Sequence, residues 1–423
     1  MTALNSAILF NNSTGSDTTA SGCGPATAVT ITLQTSAGNN TANASGSLSS
    51  ISAGDLMYVP SFTGRKFNVI ASVQPLGGTI TFDDNWDDSA SGVSGYVGGK
   101  RATFDNADSR KVFDDLHGGW VIESETDQTI TSPISPTGTG DIDNFAVIDL
   151  GGNTVTYTSS SNYPFTVQEN CLLKNGTFIK TTGTPNGILV SGTANFSYGA
   201  CYQIVMVGFN LGILVGANRL GYLYKCTAKN GSVGFSGYNT ALNCEKCIAT
   251  NNTAQGFYTN HTLEIQDCIA ATNNVGFYSD GSTRLHQIVG SIAYSNTSHG
   301  LDANGSIDTC NGNIFASNGG YGINSAASKF VFTDSNAFYN NTSGNVSNQS
   351  FDSGNDITLT ADPFVDAANG DFNISDSAGG GATLRANNFS INTDTAVYPF
   401  RQYVSDNFGS GGGGAVLHPL RSN

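Results

Sequence analysis

Asp280 and Asp302 are the residues whose placement could break a bond. Each follows a Gly-apolar pair, Gly276-Phe277 and Gly300-Leu301; Asp280 stands four residues after its glycine and Asp302 two after its own. On neighbouring strands of one parallel stack, that offset separates the two carboxyl groups by roughly 8 Å. An inverting glycosidase holds its acid and base at such a distance, with a water between them. Two solvated turn acids fit the same spacing. The other acids of the region, Glu245, Glu264, Asp267, Asp308 and Asp334, are spread out, and His286 and His299 are near only in sequence. No HxxxH pair, Gly-x-Ser-x-Gly elbow or dense acid cluster occurs. No residue is therefore assigned a catalytic role, and Asp280 and Asp302 stay as the acid and base of an alternative, hydrolytic reading.

Tyr258 and Tyr278 also share a register, two residues after Gly256 and Gly276. If Phe257 and Phe277 point inward, alternation turns both tyrosines outward. Stacked outer tyrosines suit sugar rings, and they suit an interface between protomers equally well. Cys244 and Cys247 form a CxxC, the spacing of a metal or redox site. Yet Cys244 falls in register with Leu223, Ile265, Ile288 and Cys310, and Cys247 with Cys226 and Cys268. Both are read as buried core thiols, because no second CxxC or histidine pair completes a zinc set. Unpaired thiols fit folding in a reducing cytoplasm. The acidic run from Asp83 to Asp88 carries enough oxygens for calcium without the spacing of an EF-hand loop, and is read as a solvated turn. No metal and no cofactor is expected.

The elements that position these groups announce themselves by repetition. Gly187-Ile188, Gly212-Ile213, Gly234-Phe235, Gly256-Phe257, Gly276-Phe277, Gly300-Leu301 and Gly322-Ile323 recur about every 22 residues. Asn252, Asn273, Asn296, Asn318 and Asn341 form a second line, and Cys226, Cys247, Cys268, Ser291, Asn313 and Asn336 a third. Three ladders in step imply one solenoid coil per repeat. The expectation is that glycine allows a φ > 0 corner, that asparagine tolerates left-handed backbone there, and that its amide bonds to the next coil.

Composition points the same way. The chain has 423 residues with 52 glycines, only 12% charged residues and 10% aromatics, which favours strands and turns over helices. A net charge of −15 argues against nucleic acid as a partner. No run of about 18 apolar residues provides a membrane span. The start, Met1 to Phe10, lacks a basic region and a cleavage site, so no secretory signal is expected.

Five segments follow. Residues 1–45 read as an N-terminal arm. Residues 46–104 read as a small β module, with strands at Leu56–Val59, Lys66–Val73 and Thr79–Phe82 and another within Ser94–Phe104. Residues 105–144 carry a short helix, Asp108 to Leu116, that caps the solenoid. Residues 145–375 form about ten coils of β-solenoid. Residues 376–423 form a Gly-rich assembly tail.

The coil length, the Asn ladder and the Gly-apolar pairs resemble the right-handed parallel β-helix, or pectate-lyase-like, superfamily over 145–375. The resemblance implies an all-β, right-handed parallel β-helix. It also implies that Asp362-Pro363-Phe364 to Phe372-Asn373-Ile374 is a closing coil. Lyases of that superfamily use Asp-bound calcium with Arg or Lys as base, and hydrolases use two or three acids. The chain ends are similar to virion proteins of tailed bacteriophages: the Ser/Thr/Gly-rich start, and the tail from Tyr398-Pro399-Phe400 through Gly411–Gly414 to His418-Pro419-Leu420. That likeness implies a virion location without a signal peptide, other virion proteins as partners, a homo-oligomer such as a trimer, and contact with host-surface polysaccharide. The first reading is a non-enzymatic spike, fibre or decoration. The alternatives are a tailspike depolymerase and an exported carbohydrate-binding β-helix.

Overall fold

The computed structural model describes residue 4, residues 7–114, 119–135, 146–160, 163–168, 170–191, 198–216, 220–280, 286–305, 307–326, 331–348, 351–352, 354–387 and residue 389. Of the assembly tail expected over 376–423, only residues 376–387 and 389 are among those described. Two compact units divide the chain. One is built on Met1–Ser159 and Gln168–Thr177, the other on Ser160–Val167 and the chain from Phe178 onward.

In the first unit, Val29–Thr35, Thr41–Gly46, Leu56–Tyr58, Phe67–Gln74, Thr79–Phe82 and Ala90–Val97 close into an antiparallel barrel. Alternation drives it: Ile31, Leu33 and Thr35 point inward while Thr30, Thr32 and Gln34 face solvent. The run Val29–Leu33, read above as arm, is thus the first barrel strand. Ile31, Leu33, Met57, Ile70, Ile80, Phe82 and Trp86 make the core. The acidic loop is a turn with Asn85 and Asp87 exposed to solvent, and it also packs inward. Trp86 is fully buried, and Phe62 and Phe82 meet its ring edge-on at 5.1 and 4.9 Å. Asp88 accepts hydrogen bonds from the Thr63 hydroxyl and from the backbone of Thr63 and Gly64, Asp87 accepts from Arg65 N, and Asp84 pairs with the Arg65 guanidinium at 2.7 Å. Its carboxylates therefore hold the 63–65 loop.

The arm supplies Ile8–Phe10, which pairs parallel with Val121–Ser124. That strand pairs with Ala146–Asp149, and Ala146–Asp149 with Cys171–Lys174. The helix runs Ala107–Asp114, and Asn106 caps it by accepting from the backbone of Asp108 and Ser109 at 2.8 and 3.2 Å. Its Phe113 stacks on Phe10 and meets Phe104 edge-on.

The second unit is a parallel β-helix of about eight turns, fewer than the ten expected. A typical coil takes three strands, such as Val233–Gly237, Ala241–Glu245 and Ile248–Thr250. The first strands of successive coils form a nine-stranded parallel sheet from Phe165–Val167 to Gly344–Ser347. Inside it Phe235, Phe257 and Phe277 stack at 5.0 and 5.1 Å. The expected closing coil is a hairpin. Phe364–Asp366 and Asp371–Ile374 pair antiparallel, reversed by the turn Ala367–Asn369 and by Gly370 at φ +87. The hairpin and the helix Gly381–Ala386 bury Phe364, Ala367 and Leu384 with Ile292, Ile314 and Ala337.

The ladders hold, for reasons that differ in part from those expected. The stacked glycines Gly187 to Gly322 do not take positive φ. They lie in strands, or for Gly187 and Gly300 just before them, where a Cβ would strike the next coil: at Gly212 it would sit 2.4 Å from Gly234 O, and at Gly276 2.5 Å from Gly300 O. The left-handed corners belong instead to Lys225, Lys246 and Asp267, and to Asn251, Thr272, Ser295, Ser317 and Asn340. The ladder asparagines each follow one of these corner residues and make the expected inter-coil bonds. The Oδ1 of Asn273 accepts both the backbone N–H and the Nδ2 of Asn252, at 3.0 and 2.9 Å. Asn296, Asn318 and Asn341 repeat the pattern. In the third ladder thiols stand in for amides. Cys247 N donates to Cys268 Sγ, Cys268 N to Ser291 Oγ, Ser291 N to Asn313 Oδ1 and Asn313 N to Asn336 Oδ1. All eight cysteines are buried, and all remain outside disulfides.

Candidate functional site

The outer face of the nine-stranded sheet gathers the residues singled out by spacing. One outward column runs Leu214, Ser236, Tyr258, Tyr278, Asp302, Asn324, Ser347, each directly opposite the next. It faces out because its neighbours Ile213, Phe235, Phe257, Phe277, Leu301 and Ile323 fill the core. The Tyr258 and Tyr278 rings stack at 5.6 Å with planes 11° apart. At that separation no sugar ring fits between them. The pair can therefore offer a ligand its ring edges and hydroxyls, and no slot between the rings.

Asp302 lies opposite Tyr278, and Asp280 lies two residues beyond Tyr278, so the two-residue offset expected from the sequence is present. Their environments differ. Asp302 Oδ1 accepts from Asn324 Nδ2 at 2.9 Å, and Asn324 Oδ1 accepts in turn from the Ser347 hydroxyl at 2.6 Å. Asp280 is exposed at its strand end, anchored by its backbone N–H to Thr259 O. The Tyr278 hydroxyl accepts from Asn304 Nδ2 at 2.8 Å. Partial burial raises the Tyr258 phenol above its ordinary value, helped by Asp280, Tyr278 and Tyr238 nearby. Tyr238 is 53% exposed and borders the same strip. His299 does not join these acids; its Nδ1 accepts from Tyr321 N and its ring stacks on Tyr321. The His286 and Asp308 side chains lie outside the described residues. The strip thus combines phenols, amides and carboxylates on a rigid sheet, a set that recognises hydroxyl-rich ligands by hydrogen bonding.

A second polar group, not singled out from the sequence, sits where the strands Ala241–Glu245 and Thr262–Gln266 end. Glu245 faces outward yet is only 6% exposed. Its Oε2 accepts from the Tyr222 hydroxyl, and its Oε1 has no hydrogen-bond partner. Lys246 Nζ and Asp267 Oδ2 are buried without partners as well. Burial pushes the Asp267 carboxyl up to about 6, with Glu245 adding to the rise and Lys246 opposing it. Glu245 and Lys246 adjoin in sequence and Asp267 stands one coil further on; the roughly 22-residue period, which pairs Glu245 with Gln266, was the signal that could have grouped them.

No family model matches the chain, and no curated protein does. The chain is similar at low identity to several solved structures. Pectate lyase Pel9A is 16% identical with a TM-score of 0.47, covering 63% of this chain and 83% of that one. The catalytic domain of a GH87 alpha-1,3-glucanase in complex with nigerose is 9% identical with a TM-score of 0.32, over 79% and 90% of the two chains. The tailspike protein gp49 from Pseudomonas phage LKA1 is 14% identical with a TM-score of 0.26, over 79% and 62%.

Proposed function

We propose that this chain is a non-enzymatic structural protein of a bacteriophage particle, a β-helical spike, fibre or decoration that holds host-surface polysaccharide along its outer tyrosine column. The observation that carries the glycan contact is the stacked pair Tyr258 and Tyr278, flanked by Asp280, Asp302, Asn304 and Asn324 on one rigid sheet face. The particle setting rests on the resemblance of the chain ends to virion proteins, as does assembly into a homo-oligomer. Binding rather than cleavage is favoured because Asp302 Oδ1 is already taken by the Asn324 amide.

The test is calorimetric titration with polysaccharide purified from host envelopes, together with an assay for new reducing ends. Binding that weakens about tenfold or more in Tyr258→Ala and Tyr278→Ala, with no release of sugar, is the expected result. Sugar release that disappears in Asp280→Asn and Asp302→Asn would establish the hydrolytic alternative. A chain missing from purified particles would remove the virion setting.

A further inference from the structure

The nine-stranded sheet stops at Gly344–Ser347, which pairs with Tyr321–Ser325 on one side only. A strand within a sheet uses both edges, so the outer edge of this one presents backbone N–H and C=O groups that no strand among the described residues meets. The core ends with it. Phe277, Leu301 and Ile323 stand one above another and are fully buried, whereas Val346, the next residue of that column, is only half-buried. Asn345 Nδ2 donates to Thr358 Oγ1 at 2.7 Å, a polar brace between two strands of the last coil. Natural sheets blunt such an edge with lysine or proline. Neither is here: from Ser335 to Ser350 the chain carries no charged residue and no proline. Charge then selects the partner. At a net charge of −15, two copies repel wherever their acids face each other, and a neutral edge is where they can meet. An edge strand is also self-complementary, since a two-fold axis lays it antiparallel on its own copy.

We propose that Gly344–Ser347 pairs antiparallel with the same strand of a second copy, joining two β-helices end to end about a two-fold axis. The pairing gives the open backbone groups of both copies their partners, about four hydrogen bonds for strands of this length. An axis perpendicular to the sheet keeps both core faces on one side. The two Val346 side chains then meet in one continuous core, which closes the last layer of each stack. Repulsion between two chains of like charge is screened as salt rises, so this contact strengthens with added salt, whereas an ion-paired one weakens. It gives the homo-oligomer proposed above its contact surface and rests on that reading.

Sedimentation equilibrium of the full-length chain tests this. The expected result is a dimer whose dissociation constant falls about tenfold or more between about 50 and about 500 mM sodium chloride. Asn345→Lys and Val346→Lys set like charges against each other across the axis, and each should return a monomer that still melts cooperatively. Leu76→Lys, on the fully exposed tip of the barrel hairpin, adds the same charge elsewhere and should leave the dimer intact. Hydrogen exchange gives a readout that needs no variant: the amides of 344–347 that face away from Tyr321–Ser325 should exchange slowly in concentrated solution and fast on dilution. A chain that stays monomeric across the salt range overturns the proposal, and if that monomer binds glycan, the tyrosine column stands without it. A dimer that survives both edge substitutions places the contact elsewhere and overturns it. So do amides protected equally at every dilution, the outcome if residues 390–423 cover the edge within one chain.

Discussion

Asn296 stands in the middle of the amide ladder and shows what a single side chain does in this fold. Its Oδ1 accepts from Asn273 N and Nδ2, and its Nδ2 donates to Ala270 O and to Asn318 Oδ1. Asn296→Ala leaves buried donors on Asn273 and a buried carbonyl on Ala270 unpaired, and should lower unfolding stability by about 3 kcal/mol. Asn296→Asp keeps the acceptor and loses the donor, so it should destabilise as well, and more at neutral pH than at acid pH. Chemical denaturation at two pH values checks both. The ladder was legible because the amide itself is the recurring letter. The left-handed corners were not, since Lys246, Asp267, Thr272 and Ser295 share a backbone shape and no chemistry. Asp267 carries a pH signature of its own. Burial raises its folded-state value from the ordinary 3.8 to about 6, with Lys246 opposing the rise and Glu245 adding to it. The unfolded chain then loses its proton first as pH rises. Stability is fully present below about pH 4 and falls by about 1 kcal/mol through pH 6, after allowance for partial solvent access. Melting that falls across this window in the native chain and not in Asp267→Asn is the expected result; equal pH dependence in the two would contradict the assignment.

At the scale of elements, the glycine line is a packing device. A Cβ at Gly256 would lie 2.7 Å from Gly276 O and 2.9 Å from Asn273 Nδ2, inside the stack. At Gly77, on the barrel hairpin, the nearest atom would be 3.5 Å away. Gly256→Ala should therefore cost about 2–3 kcal/mol by forcing coils apart, while Gly77→Ala should leave the melting temperature nearly unchanged. Equal effects at the two sites would return the coil glycines to a role in chain flexibility. The repeat told where these glycines stack and could not tell that strands rather than corners hold them, because close approach and positive φ both select glycine. The C-terminal hairpin was misjudged for a related reason. Phe364 and Phe372 alternate with polar residues as coil residues do. Their rings meet each other at 5.4 Å and the outward Tyr294 at 5.9 and 5.7 Å, packing on the outside of the stack. In the candidate site, register made Tyr258, Tyr278, Asp280 and Asp302 visible, whereas the burial that distinguishes Glu245 and Asp267 depends on neighbours one coil away.

For the molecule as a whole, two units with separate cores imply that damage to one can be read apart from the other. Arg101 is the means. It is fully buried in the first unit, where its Nε and Nη2 donate to Ser109 Oγ at 3.1 and 2.9 Å and its Nη1 donates to Ala20 O at 2.7 Å. Its guanidinium lies 4.7 Å from the Tyr58 ring centre, with Asp17 at 3.8 Å. Tyr58 in turn donates to Asp108, which Lys66 pairs at 2.8 Å. One cation thus joins the arm through Asp17 and Ala20, the barrel through Tyr58, and the helix through Ser109. Burial pulls the guanidinium below its usual value, and Asp17 opposes the shift. Removing one member of such a buried network strands the rest, at about 3–5 kcal/mol. Arg101→Met should therefore lower the calorimetric transition that carries the barrel, tracked by fluorescence of the buried Trp86. The transition of the β-helix should stay within about a degree of its original position, since Asp17, Ala20, Tyr58, Lys66, Asp108 and Ser109 all belong to the first unit. If both transitions fell together, the units would unfold as one cooperative body, and the effect of Arg101 would extend to the whole chain.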